Sequence, residues 1–191
     1  MAQSPSRPSI APGPEIKRFR RLITGHDVQG RSIIISDGLS PHVMPIMDQP
    51  NFAVTDFWKA FSSPADNSPA TAKDPCSVPI QVAPPIGGHV FRVVQFPPDK
   101  DWAEKAAAVG GSMPIDETAK AASIGGEARH AHMHRTRSID YAIVLQGEIW
   151  AVMDVGESKM TAGDVLIHAW ANRSNEACIM VFILIDAQPL E

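Results

Sequence analysis

Residues 126–134, GEARHAHMH, place a histidine at every second position: His130, His132 and His134. Successive side chains of a β-strand point to opposite faces, so a strand here would project all three imidazoles from one face. Asp140 lies six residues after His134 and keeps the same parity. Neutral imidazole and carboxylate are the usual ligands of divalent transition metals such as zinc. The stretch therefore predicts a metal centre on a β-strand.

The composition is that of an ordinary globular protein. The chain has 191 residues, of which 44% are hydrophobic and 20% are charged, which suits one domain with a sizeable core. Its net charge is −4 at pH 7 and its basic cluster at 17–21 is short, so we expect no nucleic-acid partner. No apolar run reaches the roughly 18 residues of a membrane span, so we expect no membrane partner either.

Two features bear on the cellular setting. The N-terminal sequence lacks the apolar segment of a signal peptide, which predicts a cytoplasmic protein. The cysteines, Cys76 and Cys178, are far apart and show no CxxC spacing. They therefore predict neither a zinc site of their own nor a disulfide framework.

Strand patterns dominate the chain and predict an all-β fold. Residues 1–15, rich in proline and serine, are expected to form a flexible arm ahead of a single domain over 16–191. A long Pro-rich loop is expected over 38–87, and one or two short helices over 102–122. The predicted strands cover 20–24, 32–36, 89–96, 130–133, 140–145, 148–154, 163–167 and 178–186. Many short strands at close spacing favour an antiparallel barrel or a double-sheet sandwich.

The spacing of the histidines resembles the first motif of the cupin family, G(X)5HXH(X)3,4E(X)6G. Here Gly126 is followed by five residues, His132, one residue and His134, then by Asp140 and Gly147. The acidic residue is aspartate where the family usually has glutamate, and it lies one residue further along the chain.

A second match lies nearer the C-terminus. Gly163-Asp164, followed by His168, three residues and Asn172, resembles the ends of the second cupin motif, with a shorter segment between glycine and histidine. The resemblance covers residues 126–186 and implies a single jelly-roll β-barrel with an N-terminal hairpin. It also implies a divalent transition metal (iron, manganese, zinc or nickel) inside the barrel. The metal ligands that it implies are His132, His134, Asp140 and His168.

The candidate ligands have alternative roles. The alternative for His132, His134 and His168 is that they are polar barrel residues satisfied by hydrogen bonds. Asp140 is open between a metal ligand, an acceptor that orients a ligand histidine, and a turn residue. In an enzyme, His134, Asp140 and His168 are the expected catalytic residues. His130 shares the histidine face but precedes the motif, and we expect it at the entrance, where it contacts substrate.

Two tryptophans and one amide complete the predicted site. Trp150 shares the even parity of Asp140 across the intervening turn, and Trp170 and Asn172 share the parity of His168. One interpretation is a wall that binds an apolar or aromatic small molecule. The other is core packing.

Three functions are compatible with these residues. The first is a metal-dependent enzyme of natural-product biosynthesis that acts on a small organic acid, enol or phenolic, polyketide-like compound. Lewis-acid chemistry would then make it a lyase or isomerase for decarboxylation, dehydration or isomerisation, whereas an open iron position for dioxygen would make it a dioxygenase. The second is a non-catalytic small-molecule-binding cupin, which the shortened second motif favours. The third is a metal-free enzyme that uses His134 or His168 as acid or base.

The predicted hairpin also bears on assembly. Small cupin barrels commonly form dimers through an N-terminal strand, so the resemblance implies a homodimer. Residues 20–36 are the candidate segment, because a free strand edge can pair with a partner's sheet.

Overall fold

Eleven strands and one 3-10 turn build the described part of the chain. The computed structural model describes residues 10–46, 48–66, 73–102, 136–166 and 170–188. The strands are β1 (Arg20–His26), β2 (Ser32–Leu39), β3 (Val43–Ile46), β4 (Gln49–Ala60), β5 (His89–Phe96), β6 (Ser138–Gln146), β7 (Glu148–Val152), β8 (Glu157–Thr161), β9 (Val165–Leu166), β10 (Trp170–Ala171) and β11 (Cys178–Asp186). The 3-10 turn covers Asp99–Asp101. Within these ranges, no helix is long and apolar enough to cross a membrane.

The strands form three antiparallel sheets. The largest has six strands in the order β3-β4-β5-β11-β6-β9, the second has the order β10-β7-β8, and the third consists of β1 and β2. The two larger sheets share one apolar core, which includes Phe52, Val144, Ile149, Met160 and Met180. The all-β prediction is therefore confirmed.

Strand β11 lies between β5 and β6 and defines the face of the six-stranded sheet that packs into the core, here called the inner face. Its alternate residues Cys178, Met180, Phe182 and Leu184 all belong to the buried core. Directly paired residues of antiparallel strands point to the same side. The register of β11 with β5 and β6 therefore assigns inward and outward residues on both neighbours.

The segments predicted as β5 and β11 match those strands from end to end. The segment 38–87, expected as a long loop, contains β3 and the 12-residue β4 and is irregular only in its remaining described part. Polar inner-face residues and a register shift between Asp56 and Trp58 interrupt the alternation of β4. Strands β8 and β10 were not predicted either. Apart from Trp102, the expected helical segment 102–122 lies outside the described residues, as does the expected strand 130–133.

The motif glycine Gly147 forms the tight turn between β6 and β7. Its φ is +82°, a left-handed value that L side chains rarely adopt, and an added Cβ would lie 2.8 Å from the backbone oxygen of Ala177. A β-bulge just before this turn shifts the parity of the inward residues: Val144 pairs with the inward Met180, whereas Gln146 pairs with Ile179 on the outer face. Ala142 is therefore inward in β6, whereas Ile149 and Ala151 are inward in β7.

The segment ahead of β1 packs on the outer face of the six-stranded sheet. The backbone N–H of Gly13 donates to Pro50 O at 2.8 Å. The buried amide of Gln95 accepts from the backbone of Lys17 at 3.0 Å and donates to Glu15 O at 3.1 Å. These bonds fix the N-terminal segment on the outer face of β4 and β5.

Candidate functional site

Four predicted site residues, His130, His132, His134 and His168, lie outside the described residues, and their roles stay predictions. In the part of the chain that the structure describes, no group of three or more His, Cys, Asp or Glu side chains could hold a metal ion. The fit of the implied metal is therefore tested here on Asp140 alone.

Asp140 lies near the start of β6 on the inner face. It pairs with Leu184 of β11, a core residue, and Ala142, two residues further along β6, is also in the core. Its half-buried carboxylate accepts a hydrogen bond of 2.5 Å at Oδ1 from the Ser138 hydroxyl. Thr136 Oγ1 lies 2.6 Å from that hydroxyl. The chain thus holds a carboxylate at the core edge, which suits a metal ligand or an acceptor for a ligand histidine.

The two tryptophans face opposite ways. Trp170 is in the core, with its ring centroid 5.5 Å from that of Phe182 in an edge-to-face contact. Trp150 is half-buried beside the inward residues of β7, and the guanidinium of Arg173 lies 5.1 Å from its ring centroid. Trp150 therefore lies on the outer face of the three-stranded sheet, and the expectation that it shares Asp140's side is corrected, because a β-bulge between Val144 and Gln146 shifts the parity. Only Trp170 is placed as an inner wall.

Asn172 is fully buried, and its side chain is bonded to the protein itself. Its Nδ2 donates to Phe96 O at 3.0 Å and to Glu176 O at 2.9 Å. Its Oδ1 accepts from the backbone N–H of Ser174 at 3.1 Å and from the Ser174 hydroxyl at 2.8 Å. Both amide hydrogens are in use, so this geometry favours a structural role over the predicted contact with substrate.

A charged cluster that the sequence did not predict lies on the inner face of β4 and β5. Asp56 pairs directly with Arg92, which pairs in turn with the core residue Phe182, so all three point inward. Arg92 Nε lies 2.9 Å from Asp56 Oδ1, and Lys59 Nζ lies 3.2 Å from Asp56 Oδ2. The side chains of Asp56, Lys59 and Arg92 are 0%, 5% and 7% exposed. Ionisable side chains that are so deeply buried need hydrogen-bond partners.

The Pro-rich segment supplies further partners through its backbone. Arg92 NH1 donates to Gln81 O at 2.8 Å and to Val82 O at 3.3 Å. Lys59 Nζ donates to Pro79 O at 3.0 Å. Residues 79–82 therefore run beside Lys59 and Arg92, and their backbone carbonyl oxygens are neutral hydrogen-bond acceptors for both side chains.

The inward orientation of Lys59 depends on the β-bulge. Residues three apart in a regular strand face opposite sides, but the register shift between Asp56 and Trp58 returns Lys59 to the inner face, opposite Val90. Val90 pairs with Leu184, and Leu184 pairs with Asp140. Lys59 and Asp140 thus stand in one cross-strand row with two apolar residues between them. One end of the inner face is polar, while Phe96, Cys178 and their neighbours make the other end apolar.

A second charged cluster consists of Arg21 in β1, His42 just before β3 and Asp74 in the Pro-rich segment. Asp74 pairs with Arg21, and His42 Nε2 lies 2.9 Å from Asp74 Oδ2. Burial raises the pKa of Asp74, but hydrogen bonds from Arg21, His42 and the Cys76 N–H outweigh it and hold that pKa well below its usual range. The cluster ties β1 and the Pro-rich segment together.

The two cysteines are free and buried, as their spacing predicted. Burial, with the nearby charge of Asp56, raises the pKa of Cys76 to about 12. Burial likewise raises the pKa of Cys178 to about 12. Both are protonated thiols at neutral pH, so neither is an activated nucleophile.

Two packed antiparallel sheets, an inward carboxylate and an inward cationic cluster define a β-sandwich or barrel protein with polar groups at one end of its interior. Comparison with known proteins gives the family. No family model matches the chain. It is 33% identical over 205 residues to phomopsin biosynthesis cluster protein C' of Diaporthe leptostromiformis, covering 100% of this chain and 88% of that protein.

It is also 25% identical over 195 residues to the cupin-domain-containing oxidoreductase virC of Hypocrea virens, covering 95% of this chain and 83% of that protein. The chain belongs to the cupin family, as its motif spacing predicted. Among solved structures, it is similar to a cupin 2 conserved barrel domain protein from Salinispora arenicola. That similarity has a TM-score of 0.32 and 16% identity, and covers 58% of this chain and 72% of the other.

Proposed function

We propose that the protein is a cupin enzyme of natural-product biosynthesis that converts a small organic acid, enol or phenolic compound between its two larger sheets. The observation that carries the proposal is the polar end of the inner face, where Asp140 and Lys59 share one cross-strand row. The similarity to a protein of the phomopsin biosynthesis cluster supports the biosynthetic setting.

The proposed metal ligands are His132, His134, Asp140 and His168. Three imidazoles and one carboxylate are donors that iron, manganese, zinc and nickel accept, and the inward position of Asp140 fits that set. When bound, the metal would supply Lewis acidity that stabilises negative charge on a substrate oxygen.

The chain's own groups would position the substrate and move the proton. The Asp140 carboxylate, oriented by Ser138, would accept a proton or hold a ligand histidine in its tautomer. Trp170 and Phe182 would pack against the carbon skeleton and exclude water. These roles need a substrate that is partly apolar and ionisable.

A second candidate is an iron-dependent dioxygenase that uses the same residues. The name of the relative from Hypocrea virens, an oxidoreductase, favours it. Oxygen dependence of turnover distinguishes it from a lyase or isomerase.

Metal analysis tests the metal-dependent proposal. After expression in metal-replete medium, the purified protein should retain close to one equivalent, and His132→Ala and His134→Ala should each abolish retention. His26→Ala, on the exposed end of β1, is the control and should keep the metal. Less than about a tenth of an equivalent in the wild type would overturn the metal-dependent proposal. Metal retained by both variants would overturn the ligand set.

A substrate screen tests catalysis. Organic acids, enols and phenols are incubated with the metal-loaded protein, with and without oxygen, and products are analysed by mass spectrometry. Turnover without oxygen supports a lyase or isomerase, and oxygen-dependent turnover supports the dioxygenase. Ligands that bind without turnover would contradict the enzyme proposal and favour a non-catalytic binding cupin.

A further inference from the structure

We propose that Lys59 and Arg92 form an anion-binding site on the inner face, which takes the carboxylate of a monoanionic organic acid. That this acid is the substrate rests on the proposed function; the anion site itself rests on the arrangement of Asp56, Lys59 and Arg92.

The cluster has an excess of positive charge. One carboxylate, Asp56, faces two cations, so the three side chains carry a net charge of +1 with none of them more than 7% exposed. An uncompensated buried charge is strongly unfavourable, and the neutral carbonyls of residues 79–82 solvate the cations without cancelling that charge. A bound monoanion would neutralise it.

One donor hydrogen is also left over. Lys59 Nζ has two partners for its three hydrogens among the described residues, Asp56 Oδ2 and Pro79 O. Arg92 faces Asp56 with Nε, 2.9 Å from Oδ1, and donates to Oδ2 from NH2 at 3.3 Å, so its guanidinium is already engaged by that carboxylate. The third hydrogen of Lys59 Nζ is therefore the donor left for a ligand. Buried donors without acceptors are rare in folded proteins. Here the donor belongs to a cation suited to hold a carboxylate.

A purely structural role explains only part of the cluster. The Arg92–Asp56 pair and its bonds to Gln81 and Val82 suffice to fix the Pro-rich segment on the sheet. Lys59 adds one further backbone bond at the expense of a second buried cation. An apolar side chain would pack there without that penalty. The second cation is therefore the feature that points to an anionic ligand.

The neighbouring side chains indicate the rest of the ligand. Arg92 pairs on its other side with Phe182, whose ring contacts Trp170 at 5.5 Å between centroids. An aromatic wall beside a cation matches a carboxylate on an unsaturated or aromatic skeleton. Asp56 already pairs with both cations and offsets one of their two positive charges. The site therefore accepts a ligand with one negative charge.

The test uses benzoate as the probe on the full chain without added metal, in isothermal titrations at constant ionic strength. Benzoate should bind and the uncharged benzamide should not. Lys59→Met should weaken benzoate binding by at least roughly tenfold, the loss expected for one charge-assisted hydrogen bond. Lys59→Arg should restore it. Lys159→Met is the matched control, because Lys159 is 45% exposed and pairs with Glu148 on β7, and it should bind like the wild type.

Three results would overturn the site: benzamide binding as tightly as benzoate, no benzoate binding to the wild type, or equal losses in Lys59→Met and Lys159→Met. If Lys59→Met fails to fold, crystals of the wild type soaked in para-bromobenzoate decide. The carboxylate should lie within hydrogen-bond distance of Lys59 Nζ, and a bromine signal elsewhere would contradict the proposal. Binding without turnover would leave the anion site standing while the enzyme proposal fails, and turnover without benzoate binding would do the reverse.

Discussion

Nε of Arg92 lies 2.9 Å from Oδ1 of Asp56, beside residues 79–82 and out of contact with solvent. Lys59 approaches the other carboxylate oxygen at 3.2 Å. Asp56 is therefore the single carboxylate that compensates two buried cations within the cluster. Its loss should lower the stability of the fold, whichever ligand the protein binds.

Replacement of that carboxylate should be strongly destabilising. We expect Asp56→Asn to lower the free energy of unfolding by about 3–5 kcal/mol, because both cations stay buried without a counter-charge. Urea denaturation followed by tryptophan fluorescence measures the change. Glu148→Gln, which breaks the exposed pair with Lys159, should cost less than about 1 kcal/mol. Equal losses in the two variants would show that burial of the cluster is unimportant.

Removal of the Asn172 side-chain amide should lower the free energy of unfolding without changing ligand binding. Asn172→Ala removes the donor to the buried carbonyl of Phe96 and the acceptor of the Ser174 N–H, which should cost about 1–3 kcal/mol. Asn175→Ala is the control, because Asn175 is exposed and bonds only to Lys100 among the described residues. A variant of normal stability that no longer bound the probe would instead support the contact with substrate predicted from the sequence.

Sequence reasoning located β5 and β11 from end to end. Both are flanked by paired strands on both sides, and β11 is apolar from Cys178 to Ile185, whereas β5 also contains the polar residues His89, Arg92 and Gln95. β4 was missed because Asp56 and Lys59 lie on its inner face and a bulge breaks the period. Charged residues in a strand are normally assigned to solvent, and their inward direction depends on register with a strand more than 30 residues away.

The candidate site was predictable where local parity suffices. Asp140 faces inward, because no irregularity separates it from Ala142. Trp150 does not, because a β-bulge between Val144 and Gln146 shifts the parity before the chain enters β7. The cationic cluster could not be predicted, since it combines two strands and the backbone of a Pro-rich segment. Inward charges in an apolar strand pair are the signal that would have revealed it.

Lowering the pH should reduce the contribution of the Asp74 cluster to the free energy of unfolding. The pKa of Asp74 is lower in the folded protein than its ordinary value of 3.8, because the hydrogen bonds from Arg21, His42 and Cys76 outweigh the effect of burial. Its contribution is therefore fully present above that value and is lost as the pH falls below it. The difference in unfolding free energy between the wild type and Asp74→Asn should be constant from pH 7 to about pH 4 and then narrow. A difference that stayed constant to pH 2.5 would contradict the assignment; urea denaturation across this range measures it.

The hairpin of β1 and β2 is the candidate surface for self-association, and we propose a homodimer through it. β2 is exposed along its whole length, and Ile34 and Leu39 are each 60% exposed. Exposed apolar residues on a two-stranded hairpin that pairs with no other strand among the described residues favour addition to a second sheet. Light scattering should give twice the chain mass of 20.6 kDa, and Ile34→Lys should return the protein to that single-chain mass. Val155→Lys, at a residue that is 90% exposed between β7 and β8, should leave the dimer intact. A single-chain mass for the wild type would refute the dimer, and an unchanged dimer in Ile34→Lys would place its interface elsewhere.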